Sequence, residues 1–287
     1  MIGRLSPGRK ENLLKLKEKM IKALSYPVVF LLRLLPAQIA VAAKEDLKIV
    51  KKLDYDKADI FLVIESRKEM PRVISCKKEP ETISWIETFI KPGDTVYDIG
   101  ANIGAYSLVI DKFNQGLNMI YAFEPSFSTF RQLNNNILLN KCTGRIVPFQ
   151  IGLSDKTELA VFNYSSIDSG SAIHALGEPI NHIGRPFLPA LEQPILSYRL
   201  DDFIGSFGLK KPNHIKLDVD GTEFNILNGA KTILASDDLK TILVEVEPSQ
   251  DVTKRIIHLL TENGFKIHSF RNHGNQDSET ANYVFTR

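Results

Sequence analysis

From residue 60 to the C-terminus, short runs rich in β-branched residues alternate with stretches of helical periodicity, and few architectures accept that alternation. A parallel sheet with helices on both faces does, because each crossover between parallel strands is long enough to hold a helix. The pattern predicts strands at 95–99, 119–123, 146–150, 214–219 and 241–246, with helices at 105–113, 127–139, 223–234 and 252–263 between or after them. A strand pair (60–65 and 72–76) and a short helix (82–90) precede the sheet. A β excursion (158–164) leads into an aperiodic loop, 165–194, of a length that either covers a site or is mobile.

The last two strands, 265–270 and 282–286, are separated only by the polar turn 271–280. They must therefore form an antiparallel hairpin. A dinucleotide-binding domain reaches its sixth strand by another helical crossover, so this ending excludes the commonest such topology. It predicts a Rossmann-like class I methyltransferase fold, an α/β domain whose mostly parallel seven-stranded sheet has an antiparallel last strand.

Three segments follow: a basic amphipathic helical arm (1–52), the strand pair and helix preceding the core (53–94), and the ligand-binding domain (95–287). The net charge of +2 hides an asymmetry, since residues 1–52 hold twelve Lys/Arg against four Asp/Glu. The remaining body is mildly acidic and offers no clustered basic face for nucleic acid. In the arm, Pro27, Arg33 and Pro36 interrupt the stretch 23–43, which predicts a soluble chain and leaves the arm to pack on its own domain or a partner subunit, or to rest on a membrane surface. Cys76 and Cys142 lack the spacing of a zinc site or a disulfide framework, which favours a reducing, cytoplasmic setting.

The first strand ends in Asp98-Ile99-Gly100-Ala101-Asn102-Ile103-Gly104. Gly100 and Gly104 let the backbone approach a ligand. A pyrophosphate loop normally has a third, middle glycine where this chain has Asn102, and it would be repelled by Asp98. S-adenosylmethionine carries an ammonium and a sulfonium and no phosphate, so an acid at the strand end favours it. Glu124, closing the second strand beside Pro125, is placed to accept ribose hydroxyls. Ser154 and Asp155, after the third strand, are candidates to border the adenine.

The carboxyl ends of the fourth and fifth strands gather Asp218, Asp220, Glu245 and Glu247, with Glu223 opening the next helix. A hydroxyl acceptor must lose a proton as it is methylated, so a base belongs there. Asp218, with Lys216 two residues earlier on the same strand face, is the first candidate, and Glu245 the next. Asp218, Asp220 and Glu245 also form an oxygen set suited to a divalent metal, which is possible but not expected. His174 and Arg185 lie in the long loop, within reach of a substrate; His182 and His214 read as loop or surface residues, and no His or Cys set has zinc spacing.

On these blocks the chain resembles the FkbM family of methyltransferases. The carrying segments are 79–108, Phe123-Glu124-Pro125 with Leu133, Asn136 and Asn140, Gly152-Leu153-Ser154-Asp155, Arg199-Leu200-Asp201-Asp202, and 216–230 (KLDVDGTEFNILNGA). The resemblance implies S-adenosylmethionine as cofactor, held around Asp98, Gly100, Asn102, Gly104 and Glu124, and oxygen methylation of a saccharide or natural-product-like small-molecule acceptor. Two other classes compete: a catalytically silent methyltransferase-like binding module, and an NAD-dependent oxidoreductase, which the missing middle glycine and the closing hairpin oppose.

Overall fold

The computed structural model describes residues 7–181, 184–248, 251–272 and 280–287. Its contacts divide the chain into two units, Met1–Ile49 and Val50–Arg287. The first holds helices α1 (Pro7–Arg33) and α2 (Ala37–Asp46), separated at Pro36. Helix α1 continues through Pro27, so the expectation of a break there is corrected. An interior proline deletes one backbone hydrogen bond, and here the freed carbonyl of Ala23 lies on an exposed residue that water can serve. Among the described residues no helix is long and apolar enough to cross a membrane.

In the second unit, β1 (Val50–Lys52) pairs antiparallel with β2 (Phe61–Val63). The expected partner of β2, residues 72–76, is instead a 3-10 turn (Met70–Ile74) running into α3 (Ser75–Lys78). Pro71 fixes a helical φ at the start of that turn. The Asp54 carboxylate then accepts the amides of Cys76 and Lys77 at 3.0 and 2.9 Å, capping α3 from a distance the local sequence does not reveal.

Next come α4 (Pro80–Phe89), β3 (Thr95–Ile99), α5 (Ala105–Phe113), β4 (Met119–Phe123), α6 (Phe127–Leu139) and β5 (Ile146–Phe149). A second sheet follows, missing from the sequence reading: β6 (Gly152–Leu153), β7 (Glu158–Tyr164), β8 (Ala175–Leu176) and β9 (Leu191–Tyr198), in the order β6-β9-β7-β8. The expected loop 165–194 thus contains β8 and the start of β9, whose Pro194 disguises a strand. Helix α7 (Leu200–Phe207) leads to β10 (His214–Leu217). The single helix expected over 223–234 is two, α8 (Glu223–Asn228) and α9 (Lys231–Leu234). Gly229 divides them where a Cβ would stand 2.2 Å from the Ser154 carbonyl oxygen. Strand β11 (Thr241–Val246), α10 (Asp251–Glu262), β12 (Lys266–Asn272) and β13 (Ala281–Thr286) complete the chain.

The main sheet has the order β12-β13-β11-β10-β3-β4-β5, with β13 antiparallel to both its neighbours and the rest of the core parallel. This is the predicted topology; most of the expected turn 271–280 lies outside the described residues. Both faces are packed, as a parallel sheet requires. Val96, Leu108, Ile110 and Ile120 fill one side, and Tyr97, Tyr121, Phe123 and Phe203 the other. The reversal of strand order between β3 and β10 opens a crevice at their carboxyl ends, where open α/β sheets bind ligands.

Candidate active site

At the end of β3 the backbone turns at Gly100, with φ +82°. A Cβ there would sit 1.9 Å from the carbonyl oxygen of Asp218, so only glycine lets this turn press against the end of β10. Asn102 also takes a positive φ, +50°, which asparagine tolerates. Its amide donates to Glu124 Oε2 at 3.0 Å, and the Ser126 amide donates to Oε1 at 2.9 Å. Two backbone donors thus hold the Glu124 carboxylate rigidly. Burial pushes its pKa up to about 7 despite them.

Gly100, Asn102, Glu124 and Pro125 form one wall of a cavity. Ile151, Leu153, Phe162 and Ile226 make an apolar wall, and Arg72 supplies a cation. Asp218, Val219 and Asp220 close the end toward β10. Of the other residues expected here, Ala101, Gly104, Ser154 and Asp155 do not line this cavity. A Cβ on Gly104 would stand 2.5 Å from Leu133 Cδ1, which places that glycine against α6. The Ser154 amide donates to the Tyr198 carbonyl at 2.9 Å, and its hydroxyl to Asp155. The lining on this side comes instead from Ile151, Gly152 and Leu153, just before Ser154.

Asp98 lies beneath the glycine turn and is 1% exposed. Ser107 donates to its Oδ2 at 2.6 Å, and the Lys216 ammonium stands 3.8 Å from Oδ1. The register that sets Lys216 opposite Asp98 across β3 and β10 makes this pairing inevitable. Lys216 also donates to Asp218 Oδ2 at 2.8 Å and stands 5.1 Å from the centre of the Tyr106 ring. Burial disfavours its charge, but the two carboxylates hold it protonated. Burial likewise opposes the charge on Asp218. Lys216 and a hydrogen bond from Glu245 outweigh that and hold Asp218 well below the usual carboxylate range. Burial and the Asp218 charge push Glu245 far the other way, so the pair keeps one proton on Glu245.

A second cavity lies across Asp218–Asp220. Asp218, Asp220, Glu223, Glu245 and Glu247 line it, together with Lys78 and Thr280. Glu223 is buried, which pushes its pKa up to about 8, and it accepts the Gly221 amide at 3.2 Å. Between the two cavities runs the segment 171–174. Asp220 Oδ2 accepts the amides of Ile173 and His174, and Asn102 Nδ2 donates to the Ser171 carbonyl at 3.4 Å. Ala172 therefore lines both spaces.

The histidines divide. His174 lines the first cavity, while His214 is a correction to the surface reading. It is fully buried at the amino end of β10, bonded to Asp94 at 3.0 Å and to Thr241 at 2.8 Å. His182 lies outside the described residues, and Arg185 lines neither cavity. No group of three His, Cys, Asp or Glu among the described residues is arranged to hold a metal ion. Arg72 is the wall component that no local sequence signal announced, whereas His174 lies in the long loop expected near the substrate.

The sheet order and the crevice at its switch point define a class I methyltransferase architecture. The match to the methyltransferase FkbM domain spans residues 98–267, so the chain belongs to the FkbM methyltransferase family. It is similar to the hexuronic acid methyltransferase AglP of Haloferax volcanii, 26% identical over 200 residues, covering 69% of this chain and 74% of that one. It is similar also to the 31-O-demethyl-FK506 methyltransferase FkbM of Streptomyces tacrolimicus, 24% identical over 196 residues, covering 62% and 75%. The crystal structure of a methyltransferase FkbM from Methylobacillus flagellatus superposes with a TM-score of 0.47 and 18% identity, over 69% of this chain and 44% of that one.

Proposed function

We propose that the protein is an S-adenosylmethionine-dependent O-methyltransferase acting on a hydroxyl of a saccharide or natural-product-like acceptor. The observation that carries this reading is the meeting of two cavities at Asp218. One is walled like a nucleoside site, the other by five carboxyl groups able to hydrogen-bond hydroxyls. The names of the Haloferax and Streptomyces relatives, one acting on a hexuronic acid and one on an oxygen of a natural product, agree with that acceptor class.

The first cavity fits the cofactor. Glu124 would accept the ribose hydroxyls, with its own carboxylate already oriented by two amides. Ile151, Leu153 and Phe162 would flank the adenine, and Arg72 would meet the amino-acid carboxylate. When bound, S-adenosylmethionine supplies an electrophilic methyl group.

The chain's own residues do the rest. Asp218, at the junction, accepts a hydrogen bond from the acceptor hydroxyl and so fixes the direction of its lone pair. Lys216 keeps Asp218 ionised, at the expense of its basicity. That weakness is tolerable, because the hydroxyl becomes strongly acidic as its oxygen forms the new bond to carbon, and the O–H proton then passes to Asp218. Glu245, protonated, donates to the same carboxylate and holds it in place.

The test is calorimetric titration with S-adenosylhomocysteine, followed by methyl transfer to a panel of hydroxyl acceptors. Asp218→Asn is expected to bind within about tenfold of the native chain and to lose turnover. Normal turnover in that variant removes Asp218 as the base, and absence of cofactor affinity in the native chain removes the whole reading.

A further inference from the structure

We infer that the arm formed by α1 and α2 is a membrane-surface anchor, seated in one leaflet of a bilayer that contains anionic lipid. It rests on the first unit alone and is independent of the methyl-transfer reading. Within α1 the chemistry changes abruptly. Lys15, Lys17, Lys19 and Lys22 crowd its first half, whereas from Ala23 to Ala43 the one charged residue is Arg33.

In that second stretch the apolar side chains point everywhere. Val28, Val29, Phe30 and Leu31 are consecutive, so at about 100° per residue they leave the helix on every side. All four are exposed, at 59%, 42%, 51% and 62%. Helix α2 has no buried residue either. A helix apolar all round is not a stable surface helix in water. A protein groove would cover one face of it, while acyl chains cover all of them.

Length and charge select how it sits. Residues 24–33 span about 15 Å at the helical rise, roughly half of a hydrocarbon core of about 30 Å. That stretch is too short to cross, and Arg33 at its far end with Pro36 just beyond keeps the arm in the plane of the interface, where the guanidinium reaches the headgroups. Tyr26, 67% exposed, stands between the lysines and the apolar segment, the depth at which amphipathic rings meet headgroups. The lysines beside it complement anionic headgroups, and residues 1–52 hold twelve basic against four acidic groups.

The full chain should be sedimented with vesicles of phosphatidylcholine plus phosphatidylglycerol and, separately, of phosphatidylcholine alone. The expected result is partition into the anionic vesicles at least about tenfold stronger than into the neutral ones. Replacing Lys15, Lys17, Lys19 and Lys22 by Glu should abolish that difference, and Leu31→Glu with Leu34→Glu should abolish binding altogether. Hydrogen exchange on the unmodified chain gives a readout free of folding defects: amides of 24–43 should slow when anionic vesicles are added. Equal binding to both vesicle types, binding that survives the double Glu variant, or unchanged exchange overturns the inference. So does a mass that rises with concentration in light scattering without vesicle binding, which would assign the apolar arm to a second copy of the chain.

Discussion

The ammonium of Lys216 lies 2.8 Å from the carboxylate of Asp218, and both are held by one strand end. Lys216 also faces Asp98 on the neighbouring strand, so one buried cation serves a buried acid and a partly exposed one. Lys216→Met removes the nearest counter-charge of both acids. Removal of one partner from a buried ion pair costs about 3–5 kcal/mol, and urea denaturation should show a loss of that size. A loss below about 1 kcal/mol, the value of an exposed pair, would mean that water reaches Asp98 freely.

Glu124 makes cofactor binding depend on pH. Burial raises its pKa from 4.5 to about 7, so the empty protein is stabilised by the protonated form, and that contribution is lost as pH rises through about 7. Ribose hydroxyls donate to the ionised form. Affinity for S-adenosylhomocysteine should therefore rise between about pH 6 and 8, with proton release on binding near pH 6.5. Calorimetry in two buffers of different ionisation enthalpy measures that release directly. Glu124→Gln should weaken binding by about 10- to 100-fold and flatten the pH dependence; an unchanged slope would show that another group titrates.

Much of the fold was legible because its signals are local. The runs at β3, β4, β7 and β11 have the bounds their composition suggests, and the missing crossover before β13 forces the antiparallel ending. The second sheet was not legible, since β6 and β8 have two residues each and β9 contains Pro194. In the site, the glycine turn, Glu124 and the acids of β10 and β11 stand out by spacing, and the structure brings Gly100, Asn102, Glu124 and Asp218 to one cavity. Arg72 did not stand out, because its position depends on Pro71 and on Asp54 capping α3 from 22 residues away. Asp98 reads in sequence as a ligand to a cationic cofactor, yet its carboxylate is turned to Ser107 and Lys216. That orientation depends on the register of β3 against β10, which sequence periodicity does not encode.

The segment 171–174 divides the two cavities, and Asp220 ties it down through the amides of Ile173 and His174. Ile173 has φ +66°, an unfavourable conformation for a β-branched residue, so the tie opposes a local strain. Asp220→Ala should free the segment. Hydrogen exchange at Ile173 and His174 should accelerate by at least about tenfold, and KM for the acceptor should rise. Unchanged exchange would show that Asn102 and the packing around Ala175 suffice to hold it.

Gly100 and Gly93 separate two reasons for glycine. Both have positive φ, +82° and +91°, so alanine at either carries the conformational penalty of a left-handed residue, about 1–2 kcal/mol. At Gly93 nothing lies within 4 Å of the added Cβ, whereas at Gly100 that carbon would stand 1.9 Å from the Asp218 carbonyl oxygen. Gly93→Ala should lose about that much stability and keep its affinity for S-adenosylhomocysteine. Gly100→Ala must push the turn away from β10, displacing Asn102, whose amide orients Glu124, and Asp218 together. It should lose more stability in the same denaturation experiment and bind the nucleoside at least about 100-fold more weakly. Equal behaviour of the two variants would mean that the turn yields without moving the site, and that the close contact between β3 and β10 is incidental to binding.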